Sequence, residues 1–286
     1  MTMKTKILTL LLALAAAMPS CTKLNSGDSF NQTVGGIEYN FEVIVSKMAY
    51  VRLTPISTPS VVKGDITLPT TAEYDGVTYT VTQIGQRAFR DYTGITSVVL
   101  PKTLSKIEQE AFAGCSSLQA INTPQPLSVI GEYAFDGCSG LKAFSLEASI
   151  SELGKGAFRG CASLEELAFT PTFTEIPDEL CSGCIGLKEI SLPSTIMRVG
   201  ASAFEGCASA RSIKVDRSLQ NIGARAFSGC FAVESISCMT AAPPVCSANT
   251  FDGIPTDIPV TVPMANVSEY RNATGWNRFG NYIGKY

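Results

Sequence analysis

The chain of 286 residues contains no histidine. That absence excludes Ser-His-Asp and Cys-His catalysis, imidazole metal ligation and a histidine pH switch. Charge is scarce as well: 16% of residues are charged against 45% apolar, so the chain is ordered rather than disordered. The first 20 residues hold Lys4 and Lys6 and no acid, leaving 20 basic and 25 acidic groups beyond them, a net charge of −5. Nucleic acid is not an expected partner, because phosphate binding needs a basic face. A phosphate-binding glycine loop, a nucleophile elbow and a paired-carboxylate motif are all missing from the sequence. Long apolar runs are missing too, apart from Ile7 to Ala17, which is too short to span a bilayer as a mature helix.

That run follows Lys4 and Lys6 and precedes small residues, so residues 1–20 read as an export signal. The Met-Pro-Ser-Cys context of Cys21 resembles the lipobox of bacterial lipoproteins. The resemblance implies that Cys21 is diacylated, becomes the mature N-terminus and anchors an outer-membrane lipoprotein at the cell surface; two acyl chains hold stably where one does not. Residues 21–31 are polar and read as the lipidated tether.

What the chain has in abundance is self-similarity. An Ile-Gly-x-x-Ala-Phe start recurs at 84, 107, 130, 153, 176, 199 and 222, a step of 23 with no slippage. Such a period predicts an α/β repeat, a leucine-rich-repeat solenoid with a parallel β-sheet on one face. Each turn reads I-G-x-x-A-F-x-G-C-x-x-L-x-x-I-x-L-P, and the Leu118-x-x-Ile121 segment and its copies have strand spacing. The Ile107 to Phe112 segment and its copies are expected to cross the opposite face as short helical or 3₁₀ pieces. Phe89, Phe112, Phe135, Phe158, Phe204 and Phe227 should stack in one column, with Cys181 a soft point where a phenylalanine is replaced. Gly114, Gly137 and their copies should supply positive φ. A ladder of hydroxyls (Thr103, Ser149, Thr172, Thr195, Ser218) is expected to bind neighbouring backbone.

The array spans 81–240. Residues 32–80 form a β-rich N-terminal cap, with turns at Gly35-Gly36 and Asp75-Gly76 and a zeroth repeat at Asp65 to Leu68. Residues 241–286 form a C-terminal cap, with a strand at Val260 to Val262, a helix cap at Asn266-x-x-Glu269, and the aromatics Tyr270, Trp276, Phe279 and Tyr282.

This cysteine-containing consensus resembles the BspA-like leucine-rich repeat family. The resemblance implies a non-enzymatic surface protein that adheres to host matrix proteins or other cells, without a cofactor. The partner is then a host or microbial surface protein or glycan, besides the membrane that holds the lipid anchor. The alternative is a periplasmic or surface accessory protein that captures glycan or scaffolds an envelope complex.

The chemically suggestive residues have plainer readings. Cys115, Cys138, Cys161, Cys184, Cys207 and Cys230 fall 23 apart, spread along the axis, and read as buried free thiols. Cys181-x-x-Cys184 has a redox or zinc spacing, yet both members sit at repeat positions. A Cys238–Cys246 disulfide is left open. Ser139-x-x-Lys142 matches a hydrolase spacing without any supporting motif. No catalytic, metal or cofactor site is expected. The glycosylation sequons at Asn31, Asn266 and Asn272 carry little weight in a bacterial lipoprotein.

Repeat proteins bind through the sheet face. Its outward positions are predicted as Ala120, Asn122, Ala143, Ser145, Glu166, Ala168, Glu189, Ser191, Ser212, Lys214, Ser235 and Ser237. Of these, Asn122, Ser145, Glu166, Glu189, Ser191 and Lys214 are the candidate ligand face.

Overall fold

The computed structural model describes residues 23–170 and 172–286; the export signal and Cys21 lie outside the described residues. Two rows of short parallel strands, each broken along its course, line a solenoid. One is made by the apolar-Gly start of each turn and pairs Lys106–Ile107 with Val129–Ile130 and Glu152–Leu153. The other is the sheet face, in which Ser97 and Val98 pair with Ala120 and Ile121, and further on Glu189–Ser191 pairs with Ser212–Val215 and Ser235–Cys238. Between the ladders lies one core, 0% exposed at most phenylalanines of the repeat. Phe89, Phe112, Phe135 and Phe158 stack at 5.1, 5.4 and 5.5 Å with their planes within 3° of parallel.

The segment expected to be helical is not. Arg87, Glu110, Tyr133, Glu179, Ser202 and Arg225 all have positive φ, between 53° and 59°, each at the residue before the Ala-Phe pair or, for Glu179, before Leu180-Cys181. A left-handed residue there stops a helix from propagating. The backbone bonds instead to the next turn: Phe112 N–H donates to Ala134 O at 2.8 Å and Gly114 N–H to Asp136 O at 2.7 Å. The second positive-φ position is the predicted one, at 75° for Gly114 and 69° for Gly137.

The hydroxyl ladder also differs. Thr103 Oγ1 donates to Val81 O at 2.6 Å and Thr172 Oγ1 to Ile150 O at 3.5 Å, as expected, but Ser149 Oγ and Thr195 Oγ1 are buried without a partner. The regular row lies at Ser105, Ser128 and Ser151, whose hydroxyls reach the carbonyls of Thr82, Ser105 and Ser128.

Both caps continue the ladders. β1 (Ser29–Val34) and β2 (Ile37–Val45) form a hairpin through Gly35-Gly36, and β2 pairs antiparallel with β3 (Tyr50–Pro55). β4 (Gly64–Thr67) opens the sheet-face ladder, which supports the zeroth repeat. β5 (Thr71–Tyr74) and β6 (Val77–Ile84) are the hairpin inserted after it, and β6 pairs parallel with β3. Phe30 is buried inside β1 and the chain bonds to the cap from residue 24 onward, Leu24 N–H to Tyr79 Oη at 2.8 Å and Gly27 N–H to Val43 O at 2.8 Å, so residues 24–31 do not form the free polar segment expected there. At the other end Pro259–Pro263 extends the sheet face, and a strand not foreseen from the sequence, Asn281–Lys285, follows it in parallel. In α1 (Val267–Asn272) the Asn266 side chain makes no backbone cap; its Nδ2 donates to Glu269 Oε2 at 3.2 Å. Tyr270, Trp276 and Phe279 are buried, and Trp276 Nε1 donates to Pro244 O at 3.0 Å, so the aromatic cluster closes the core.

Candidate functional site

The sheet face is built by alternation. In each strand the leucine and isoleucine point into the core and their neighbours point out. Ala120, Asn122, Ala143, Ser145, Glu166, Ala168, Glu189, Ser191 and Lys214 are exposed, and Ser212, Ser235 and Ser237 are half-buried. Within the candidate ligand face, Asn122 is committed to the backbone: its Oδ1 accepts from Leu100 N at 2.6 Å and its Nδ2 donates to Leu100 O at 3.3 Å. Ser145 donates to Glu147 at 2.8 Å. Lys214 pairs with Glu189, Lys188 with Glu165 and Arg211 with Glu234. Of the strand carboxylates Glu165, Glu166, Glu189 and Glu234, Glu166 alone forms no ion pair among the described residues. Lys188 keeps Glu165 below the usual carboxylate range by hydrogen bond and charge.

One level of the solenoid departs from this regularity, and three departures coincide there. The ladder that ends at Glu152–Leu153 does not pair with Glu175–Ile176, which begins a separate sheet. Pro177 stands where the other turns have a glycine, or in one case Glu108, whose N–H reaches back, as Gly154 N–H does to Ile130 O at 2.8 Å and Glu108 N–H to Ile84 O at 3.1 Å. Proline has no N–H to give. The sheet face is also interrupted, as it is once more between Ala120–Ile121 and Ala143: Glu166 bridges back to Ala143, whereas Glu189–Ser191 is the first strand of its sheet. Among the described residues, Lys188 N–H to Glu165 O at 3.1 Å is the one backbone hydrogen bond joining 165–170 to 188–193. Finally, Cys181 interrupts the ring column between Phe158 and Phe204.

Two phenylalanines from the sheet side pack against the rings that flank the break. Phe144 packs 4.8 Å from Phe158, and Phe169 packs edge-on 6.3 Å from Phe204. Cys181 itself is fully buried, and the ring column is broken there as expected. Phe169 occupies the leucine position of the repeat and stays half-buried, and it walls a groove of about 720 Å³. The groove runs from Glu165 and Glu166 across to Glu189, Ser191 and Pro193. Glu166, Glu189 and Ser191 of the predicted face therefore meet at the seam, while Asn122, Ser145 and Lys214 do not line it. Sequence reasoning missed Phe169 and the seam. The signals were present as Pro177 for glycine, Cys181 for phenylalanine and Phe169 for leucine, all within one repeat length.

The thiols serve structure. All nine described cysteines are free, which includes Cys238 and Cys246. Each ladder thiol donates to a carbonyl of the preceding turn, Cys115 to Phe89 O at 3.0 Å and Cys138 to Phe112 O at 3.1 Å. Burial pushes the thiols of Cys161 and Cys207 up and that of Cys230 up to about 12. A thiolate is what a metal or a disulfide exchange requires, so burial works against both chemistries. Ser139 Oγ bonds to Ser116 O at 3.4 Å, as its repeat position dictates. Among the described residues, no group of three or more acids or cysteines is placed to hold a metal ion, and no helix is long and apolar enough to cross a membrane.

The architecture matches known bacterial proteins. A leucine-rich cell surface protein from Faecalibacterium prausnitzii aligns at TM-score 0.66 and 23% identity, over 84% of this chain and 72% of that one. A leucine-rich repeat protein from Bacteroides ovatus aligns at TM-score 0.54 and 20% identity, over 90% of this chain and 77% of that one. The T. pallidum leucine-rich repeat protein gives 0.51 and 19%, over 82% and 91% of the two chains. At these identities the likeness is one of fold. No curated protein matches the chain. The family model for the BspA type leucine rich repeat region matches in six copies, over residues 76–188 and 174–253. With more than half of its length matched and its turns built as that repeat requires, the chain belongs to the BspA-type leucine-rich repeat family.

Proposed function

We propose that this protein is exported, anchored in the outer membrane through a diacylated Cys21, and displayed at the cell surface as a non-enzymatic adhesin that binds a protein partner. The observation that carries this reading is the sheet face, along which every outward position from Ala120 to Ser237 is exposed or half-buried over a rigid apolar core. A row of outward side chains fixed in register presents many weak contacts at once, which suits recognition of a large surface. The adhesion itself is carried over from the family resemblance, and the anchoring from the Met-Pro-Ser-Cys context of Cys21.

Two measurements test the reading. Cys21→Ser should move the protein out of the membrane fraction; retention there refutes the anchor. The purified full-length chain, applied to an array of matrix proteins and glycans, should bind matrix protein. Binding to glycans alone favours glycan capture, and a silent array removes the adhesin reading.

A further inference from the structure

The seam puts a free strand edge in the middle of the binding face. Glu189–Ser191 pairs with Ser212–Val215 on one side only. Leu192 N–H is taken by Lys214 O at 2.9 Å. Since N–H groups alternate along a strand, Ser191 N–H points the other way, into the groove. Free edges recruit extended chains through main-chain hydrogen bonds. The groove beside this edge, at about 720 Å³, falls within the roughly 300–1,000 Å³ typical of ligand clefts. Its walls differ in character: Phe169 and Pro193 are apolar, and Glu166 offers a carboxylate with no internal cation.

We infer that the seam between residues 165–169 and 188–193 captures an extended segment of a partner protein, added as a strand on the Glu189–Ser191 edge, with a lysine or arginine of that segment meeting Glu166 and an apolar neighbour against Phe169. Main-chain bonds to the edge supply affinity without reading sequence, and the carboxylate and the ring select the side chains. The inference rests on the sheet face being the binding surface, and it names where on that face a partner is gripped.

The test titrates the full-length chain, in detergent at low salt, into a fluorescent peptide of sequence Thr-Val-Thr-Val-Lys-Val-Thr-Val-Thr and follows anisotropy. The peptide should bind, and N-methylation of alternate residues should weaken binding at least tenfold by blocking the edge. Glu166→Lys should weaken binding about tenfold, and a peptide with glutamate for lysine should recover affinity on that variant, which a purely structural role for Glu166 would not produce. No binding of the parent peptide, equal binding of the N-methylated one, or indifference to Glu166→Lys overturns the inference. If the matrix-protein array stays positive in any of those cases, the seam is wrong and the adhesin reading stands; if the array is silent too, both fall.

Discussion

Replacing Phe135 by alanine tests the ring column most directly. The ring is 0% exposed and meets Phe112 at 5.4 Å, Phe158 at 5.5 Å and Phe144 at 5.2 Å. Truncating a buried phenylalanine costs about 3–5 kcal/mol, and each aromatic pair adds about 0.5–1.5 kcal/mol beyond area. Those terms overlap, so the expected loss is about 4–5 kcal/mol. Phe204 is a control inside the same molecule. Its neighbour across the seam is Cys181, and its ring partners are Phe227 at 5.7 Å and Phe169 at 6.3 Å. With fewer close partners, Phe204→Ala should cost about 3 kcal/mol, at the low end of the same range. Urea unfolding of the purified chain measures both. Since each turn touches only its neighbours, hydrogen exchange should show the Phe135 damage as local. The amides of Phe112, Phe135 and Gly137, which bond to the following turn at 2.8, 2.8 and 2.7 Å, should lose protection. Those of Phe227 and Gly229 should keep it. A loss below about 1.5 kcal/mol, no difference between the two sites, or a uniform fall in protection refutes the column as the element that joins turns.

Other expectations are simpler to check. A Cβ at Gly154 would lie 2.2 Å from Glu132 N, so Gly154→Ala should cost about 3 kcal/mol because backbone cannot yield easily. Gly137 has φ +69° but open space beside it, nothing nearer than 3.8 Å, so Gly137→Ala should cost only about 1–2 kcal/mol of left-handed strain; thermal unfolding separates the two. At pH 8 a thiol reagent should leave the ladder cysteines untouched until urea is added, with half-buried Cys246 reacting first. Burial raises the Cys230 thiol from an ordinary 9.0 to about 12, so the unfolded chain loses this proton first; stability is intact below pH 9 and should decline as pH rises toward 12. A flat stability profile over that interval counts against buried free thiols.

Much of this fold was legible because the repeat states each inward position many times over. A residue such as Ile107 or Phe112 can be read from its copies even when its own surroundings are ambiguous, and the outward positions follow by alternation. The helical expectation for Ile107 to Phe112 failed because local propensity says nothing of the φ of Glu110, which is set by the hydrogen bond its N–H makes to Glu132 O in the next turn at 2.9 Å. The seam was hidden for a related reason. Pro177, Cys181 and Phe169 each look like ordinary wear in a degenerate repeat, and only the stacking shows that they fall at one axial level. Asn122 looked like a free polar side chain, yet its amide is taken by Leu100, a pairing across a 22-residue gap that no local pattern announces.

The coincidence of those departures has a mechanical consequence. A pull along the solenoid axis is shared, in most turns, among two strand ladders, the turn-side hydrogen bonds and the ring stack. Between the turn of Leu153 and that of Ile176 the ladders and the stack drop out. Tension there passes through the backbone bonds Gly156 N–H to Asp178 O, Phe158 N–H to Leu180 O, Gly160 N–H to Ser182 O, Gly186 N–H to Ala162 O and Lys188 N–H to Glu165 O, with the Cys184 thiol on Phe158 O and the Lys155–Glu179 and Arg159–Glu179 ion pairs beside them. The first three lie on the turn side, whereas Lys188 N–H to Glu165 O is the one backbone bond among the described residues that joins 165–170 to 188–193, so the seam should open first on the sheet face when stretched, as a book opens on its spine. Each half would keep its own cap and its own run of rings, and could close again without refolding.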